Sequence, residues 1–125
     1  MRRHYTGEVN PLTITYRAVI FDMDGTLLST LDDLAAAVNG ALAEQGLPGH
    51  DPEVVKGFVG AGMPTLVRRA LPAQRRGDSQ LHARALAATR RIYAGCWAKN
   101  THPYPGIASL LDRLTARGLA LGILS

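Results

Sequence analysis

Aromatic residues are scarce in this chain, at 6% of 125 residues, and there is a single cysteine. Cys96 alone cannot build an internal disulfide framework, and its isolation suits a reducing compartment. No apolar run approaches the ~20 residues that a membrane helix needs. The opening MRRHYTGEVNPL carries basic residues without an apolar stretch behind them, which argues against a secretory signal. Strong charge is missing too. Fourteen basic against ten acidic residues give +4, spread over short pairs such as Arg68–Arg69, Arg75–Arg76 and Arg90–Arg91. With no groove-reading motif and few aromatics, neither nucleic acid nor a membrane is an expected partner. The expected setting is cytoplasmic.

What is present is an ordinary globular composition, 46% apolar and 19% charged. Residues 1–11 show no period and read as a loose leader. From Leu12 the pattern turns β-like, and Tyr16 to Phe21 (YRAVIF) has the character of a buried strand. Thr30 followed by Asp33 fits a capping signature. After it, Leu31, Leu34, Ala35, Val38, Ala41 and Leu42 recur as one helical face until Gly46 and Pro48. Short helices are expected at 52–58 and 64–71, around the turn VGAGMP, and a longer one from about Ser79 to Ala98. Ala85, Ala88, Ile92, Cys96 and Trp97 should line the inner side of that long helix. HPYPG breaks the chain, with Pro105 suited to a first helical turn. Ile107, Leu110, Leu111 and Leu114 then face inward up to Gly118, before a second buried strand, LALGIL. Strand, helical insert, helix and strand make a βαβ unit with a long detour, the usual mark of a second, smaller domain.

The stretch FDMDGTL places Asp22 and Asp24 straight after the first strand, where ligands bind in open α/β sheets. Three chemistries compete. A calcium loop would use Asp22, Asp24 and Asp33, but needs glycine where Leu27 stands and a helix where the strand is. A structural Asp-Gly turn explains Asp24 and Gly25 but leaves Asp22 without a purpose, although an unpaired carboxylate beside a buried strand is costly. Phosphoryl transfer uses both. Asp22 attacks phosphorus as nucleophile, and Asp24 protonates the leaving oxygen and later activates water. Unaided hydrolysis is so slow that the site must supply on the order of 20 kcal/mol, which calls for Mg2+ shared by carboxylate and phosphate. Gly25 permits a tight turn whose amides, at Gly25 and Thr26, would be free for phosphoryl oxygens.

FDMDGTL resembles motif I of the haloacid dehalogenase-like hydrolases. The resemblance implies that Asp22 is the nucleophile and Asp24 the acid/base. It also implies that the metal is held by the Asp22 carboxylate, the Asp24 backbone carbonyl and later acids. Ser125, closing LALGILS, is similar to motif II, which hydrogen-bonds the phosphoryl group. The stretches LDDLAAAVNGALAEQGLP, FVGAGMPTLVRRAL and PYPGI look most like the phosphoglycolate phosphatase branch. That branch implies an α/β fold: a Rossmann-type parallel core, here its first two strands, with an inserted helical C1-type cap. The expected division is 12–30 and 103–125 for the core and 31–102 for the cap. Gly60 to Gly62 would shape the pocket over a small phosphorylated metabolite such as 2-phosphoglycolate. Arg69 fits the family's cap pattern and would meet a substrate carboxylate, although a solvated helix arginine is the plainer reading. Many relatives have Asp-Ser where this chain has Ser29 and Thr30.

The family's later motifs, a lysine and a further acid, have no counterpart in these residues, since Lys56 and Lys99 both fall in the cap. A core of only about 40 residues rarely stabilises itself, and its first strand would be an exposed apolar edge open to self-association. The sequence is therefore expected to be the amino-terminal part of a phosphatase. The alternative is a catalytically silent module that binds a protein partner. GAGMPT resembles a dinucleotide fingerprint only superficially, with Thr65 at the last small-residue position and no strand before it. His4, His50, His82 and His102 have no metal-site spacing and are expected at the surface or in loops.

Overall fold

A computed structural model describes residues 15–124. The leader 1–11, the β-like start at Leu12 and the motif II candidate Ser125 lie outside the described residues. The order is β1 (Ala18–Asp22), β2 (Leu28–Ser29), α1 (Leu31–Glu44), α2 (Pro52–Lys56), α3 (Met63–Ala70), α4 (Ser79–Cys96), β3 (His102–Pro103), α5 (Ile107–Ala116) and β4 (Ala120–Leu124), with a 3₁₀ turn at Ala73–Arg75.

β1 and β4 pair in parallel, from Ala18 opposite Ala120 to Asp22 opposite Leu124. Parallel neighbours need a crossover, and here the crossover holds every helix. β2 and β3 form a short antiparallel ladder, Leu28 opposite Pro103 and Ser29 opposite His102. The Tyr104 amide extends it by donating to the Leu27 carbonyl at 3.1 Å. The chain thus leaves the sheet and returns to it along one narrow neck.

The apolar core lies among the helices. Val38 and Leu42 of α1 meet Leu66, Val67 and Ala70 of α3, Leu71, and Leu81 and Ala85 of α4. The sequence pattern of α1 reads through directly: Ala35, Val38, Ala41 and Leu42 are all buried. α4 starts where Asp78 caps it, its carboxylate accepting from the Leu81 amide at 2.9 Å. α3 is fastened at both ends by imidazoles. The His82 ring bonds the Pro64 carbonyl at 2.8 Å and the His50 ring bonds the Ala70 carbonyl at 2.7 Å. His82 is therefore an interior residue of α4, not a surface one. It shares a helical phase with Ala85 and Thr89, which puts it on the packed face.

Several other expectations need correcting. Thr30 occupies the N-cap position of α1, but its side chain makes no capping bond. Trp97 lies just past the end of α4 and is 58% exposed, because the helix stops before its side chain can reach the core. α5 starts at Ile107 behind a left-handed Gly106, which leaves Pro105 outside the helix. Leu110 is exposed, whereas Ile107, Leu111 and Leu114 are half-buried. Neither strand is buried. In β1 only Val19 and Phe21 are half-covered, and Ile20 on the opposite face is 71% exposed. Among the described residues, α5 packs on the sheet against β4, and the face that carries Ile20 stays open.

Because Leu42 is enclosed and Leu110 is not, truncation should separate them. Leu42→Ala should cost about 2–5 kcal/mol of unfolding free energy, and Leu110→Ala should stay within about 0.5 kcal/mol. Urea denaturation followed by circular dichroism measures both.

Candidate active site

Asp22 is the last residue of β1, and its side chain is exposed on the open side of the strand. Its Oδ1 accepts from the Met23 amide at 2.9 Å, a local bond that orients the carboxylate. The next residues fold back on themselves. The Met23 carbonyl accepts from the amides of Thr26 (3.3 Å), Leu27 (3.0 Å) and Leu28 (3.1 Å), and the Gly25 amide donates to the Leu28 carbonyl at 2.9 Å. Gly25 makes the reversal with φ +76°, a region that favours glycine. Asp24 and Leu28 form a bridge across the turn, and the Asp24 side chain is exposed.

This geometry corrects one expectation. The amides of Gly25 and Thr26 are not free for a phosphoryl group, because they close the turn. None of these bonds uses the Asp24 amide, and Thr26 itself is exposed. The Asp22 carboxylate and the Asp24 backbone carbonyl, which none of these bonds engages, are hard oxygen donors of the kind Mg2+ prefers, and Mg2+ commonly takes one or two carboxylates plus substrate phosphate. Among the described residues, no three His, Cys, Asp or Glu side chains gather as a complete metal cage. The pair therefore fits such an ion as part of a shell.

A cleft of about 250 Å³ opens beneath the turn, lined by Met23, Leu27, Leu28, Pro103, Ile107, Ala108, Leu111 and Ile123. Its walls are wholly apolar and offer a phosphate nothing to bind. Gly60, Gly62 and Arg69, expected over the substrate, stand elsewhere. Gly60 (φ +123°) and Gly62 (φ +82°) shape the exposed loop that leads into α3. The Arg69 guanidinium donates to the Phe58 carbonyl at 3.3 Å and so braces that loop from behind. Among the described residues, no hydrogen bond or ion pair joins Gly60, Gly62 or Arg69 to the aspartates.

One residue takes a part the sequence did not suggest. Asp33 is 1% exposed and does not cap α1. Its two oxygens accept from the Asn100 amide (3.0 and 2.8 Å), the Asn100 side-chain amide (3.0 Å), the Thr101 amide (2.8 Å) and the Thr101 hydroxyl (2.9 Å). The signal was present: Asp33 shares the phase of Ala37 and Ala41, both fully buried. Burial pushes its pKa up, but the bonds from Asn100 and Thr101 outweigh that and hold it below the ordinary value. Nearby on α4, the Tyr93 phenol is pushed up, first by burial and then by the charges of Asp24 and Asp33. Tyr93 thus senses both the turn and the neck.

With this arrangement in place, similarity to known proteins becomes informative. Residues 19–125 match the model of the haloacid dehalogenase-like hydrolase family. The chain belongs to that family. Among relatives, a phosphoglycolate phosphatase of Nitrosospira multiformis is 39% identical over 113 residues, covering 89% of this chain and 49% of the relative. One from Rhodospirillum rubrum is 42% identical, covering 86% of this chain and 46% of that protein. Among solved structures, a predicted phosphoglycolate phosphatase from Haemophilus somnus superposes with a TM-score of 0.80 at 25% identity, over 87% of this chain and 51% of that chain. A structure from Lactobacillus delbrueckii subsp. bulgaricus gives 0.79 at 29% identity, over 86% and 54%. The chain spans about half the length of the curated relatives it matches. The α/β architecture of this haloacid dehalogenase-like chain, a partial parallel core with helices, agrees with these neighbours.

Asp33 gives the fold a distinctive acid response. A depressed folded pKa contributes stability that is complete above the ordinary carboxylate value of about 3.9 and is lost as pH falls through the lower folded value. Asp78, held low by the Leu81 amide and then by Arg75, acts with the same sign. The urea midpoint of the wild-type chain should therefore exceed that of Asp33→Asn near neutral pH. The gap should close as the pH falls below that ordinary value.

Proposed function

We propose that this chain carries the nucleophile-bearing part of a Mg2+-dependent phosphomonoesterase acting on a small phosphorylated acid, with 2-phosphoglycolate the first candidate. The observation that carries the reading is Asp22. It is an exposed carboxylate at the carboxyl end of a parallel strand, with Asp24 two residues on in a turn that closes itself. The names of the similar proteins support the substrate class.

The Met23 amide holds Asp22 Oδ1, leaving Oδ2 to attack phosphorus. As the new bond forms, the bond from phosphorus to the leaving alkoxide breaks, and Asp24 delivers its proton to that oxygen. Asp24, now a carboxylate, takes a proton from water. The water oxygen attacks the aspartyl-phosphate, inorganic phosphate departs, and the Asp22 carboxylate is restored. Bound by Asp22 and the Asp24 carbonyl, Mg2+ would neutralise phosphoryl charge. The Asp24 amide, exposed Thr26 and Ser125 are the proposed phosphoryl contacts.

In this reading residues 31–102 form the cap and the remainder belongs to the core. The Gly60–Gly62 loop, braced by Arg69, borders the substrate. A cytoplasmic setting suits the lone cysteine. A second reading, a non-catalytic module that associates through its sheet, is favoured by the open face, where Ile20 and Leu124 are 71% and 72% exposed.

Phosphate release from 2-phosphoglycolate tests the choice. A protein that carries this chain together with the family's later lysine and acid should release phosphate with Mg2+ and stop when the metal is chelated. Asp22→Asn should lower kcat at least about a thousandfold. No release by that protein, with concentration-dependent self-association of this chain by sedimentation, would support the second reading instead.

A further inference from the structure

The chain crosses between helices and sheet twice, at 29–31 and at 97–102, and Asp33 fastens the second crossing to the first. Its carboxylate is buried and takes five hydrogen bonds, all from Asn100 and Thr101. The carbonyl of Asp33 also accepts from the Cys96 thiol at 3.7 Å. Charge-assisted bonds of this kind are about twice as strong as neutral ones. Among the described residues no cation pairs with Asp33, so the charge is balanced by oriented dipoles alone.

The bonds continue towards the aspartates. Thr101 precedes β3, β3 pairs with β2, and the β2 residue Leu28 accepts from the Gly25 amide while bridging to Asp24. A side chain on the first turn of α1 is thereby coupled to the turn that carries Asp24 through a ladder with little slack. Helix stability alone does not explain this, since Asp33 gives α1 no capping bond.

We propose that Asp33 is a positioning residue that fixes the angle of the helical unit over the Asp22–Gly25 turn. Only the turnover readout below rests on the phosphatase reading.

Hydrogen exchange by mass spectrometry on the full chain tests the coupling, comparing wild type with Asp33→Asn and with Thr101→Val, which removes only one bond. Asp33→Asn should speed exchange about tenfold at Asn100–Thr101 and at Gly25–Leu28, while Val38–Leu42 and Leu81–Ala85 keep their protection. Thr101→Val should show the same pattern more weakly, and it carries the test if Asp33→Asn does not fold. In turnover, Asp33→Asn should raise KM for 2-phosphoglycolate about tenfold and leave kcat/KM for p-nitrophenyl phosphate within about twofold. Unchanged exchange at Gly25–Leu28 overturns the proposal, as does loosening of the helical core in step with the neck. With an inactive wild-type chain, the exchange pattern decides the role of Asp33 by itself.

Discussion

Parallel pairing of β1 with β4 obliges the chain to travel away and come back, and the whole helical unit is threaded through that return. Two strands of this order cannot be joined by a tight turn. The two crossings must therefore run side by side, and the short β2–β3 ladder and the Asp33 carboxylate are what keep them so. The turn carrying Asp24 hangs from the same ladder through Leu28. The helices and the turn that carries Asp24 are thus joined through one small group of polar contacts.

The apolar contributions are distributed differently. Nearly all fully buried side chains belong to α1–α4, while β1, β4 and α5 have none. The helical unit therefore has a core of its own, whose packing resists deformation, and meets the sheet through a polar neck. The histidines that fasten α3 belong to that rigidity. By bonding carbonyls at both ends of the helix, His82 and His50 hold the loop of Gly60 and Gly62 in relation to α4.

The sequence disclosed the parts whose signals are local. The period of α1, the end of β1 at Asp22 and the glycine-rich turn before α3 follow from neighbouring residues, and so did the family resemblance of FDMDGTL. It disclosed less where partners are distant. Asp33 looked like a cap residue because local spacing cannot show Asn100 and Thr101, which lie 67 and 68 positions away. The strands looked buried because hydrophobicity reports what a residue prefers, not whether a neighbour arrives to cover it. Trp97 looked internal because its phase fits the α4 face, but the helix ends one residue too early. The amides of Gly25 and Thr26 looked available because their use within the turn depends on the Met23 and Leu28 carbonyls folding back.

The central claim is that Asp22, and not Asp24, forms the covalent bond to phosphorus. Chemical trapping addresses it most directly. A protein that carries this chain together with the family's later lysine and acid is mixed with substrate and Mg2+, quenched, reduced with borohydride and mapped by peptide mass spectrometry. The account predicts that residue 22 is converted to homoserine while residue 24 is unmodified. Conversion at residue 24, or substrate hydrolysis with neither residue ever trapped, would contradict it.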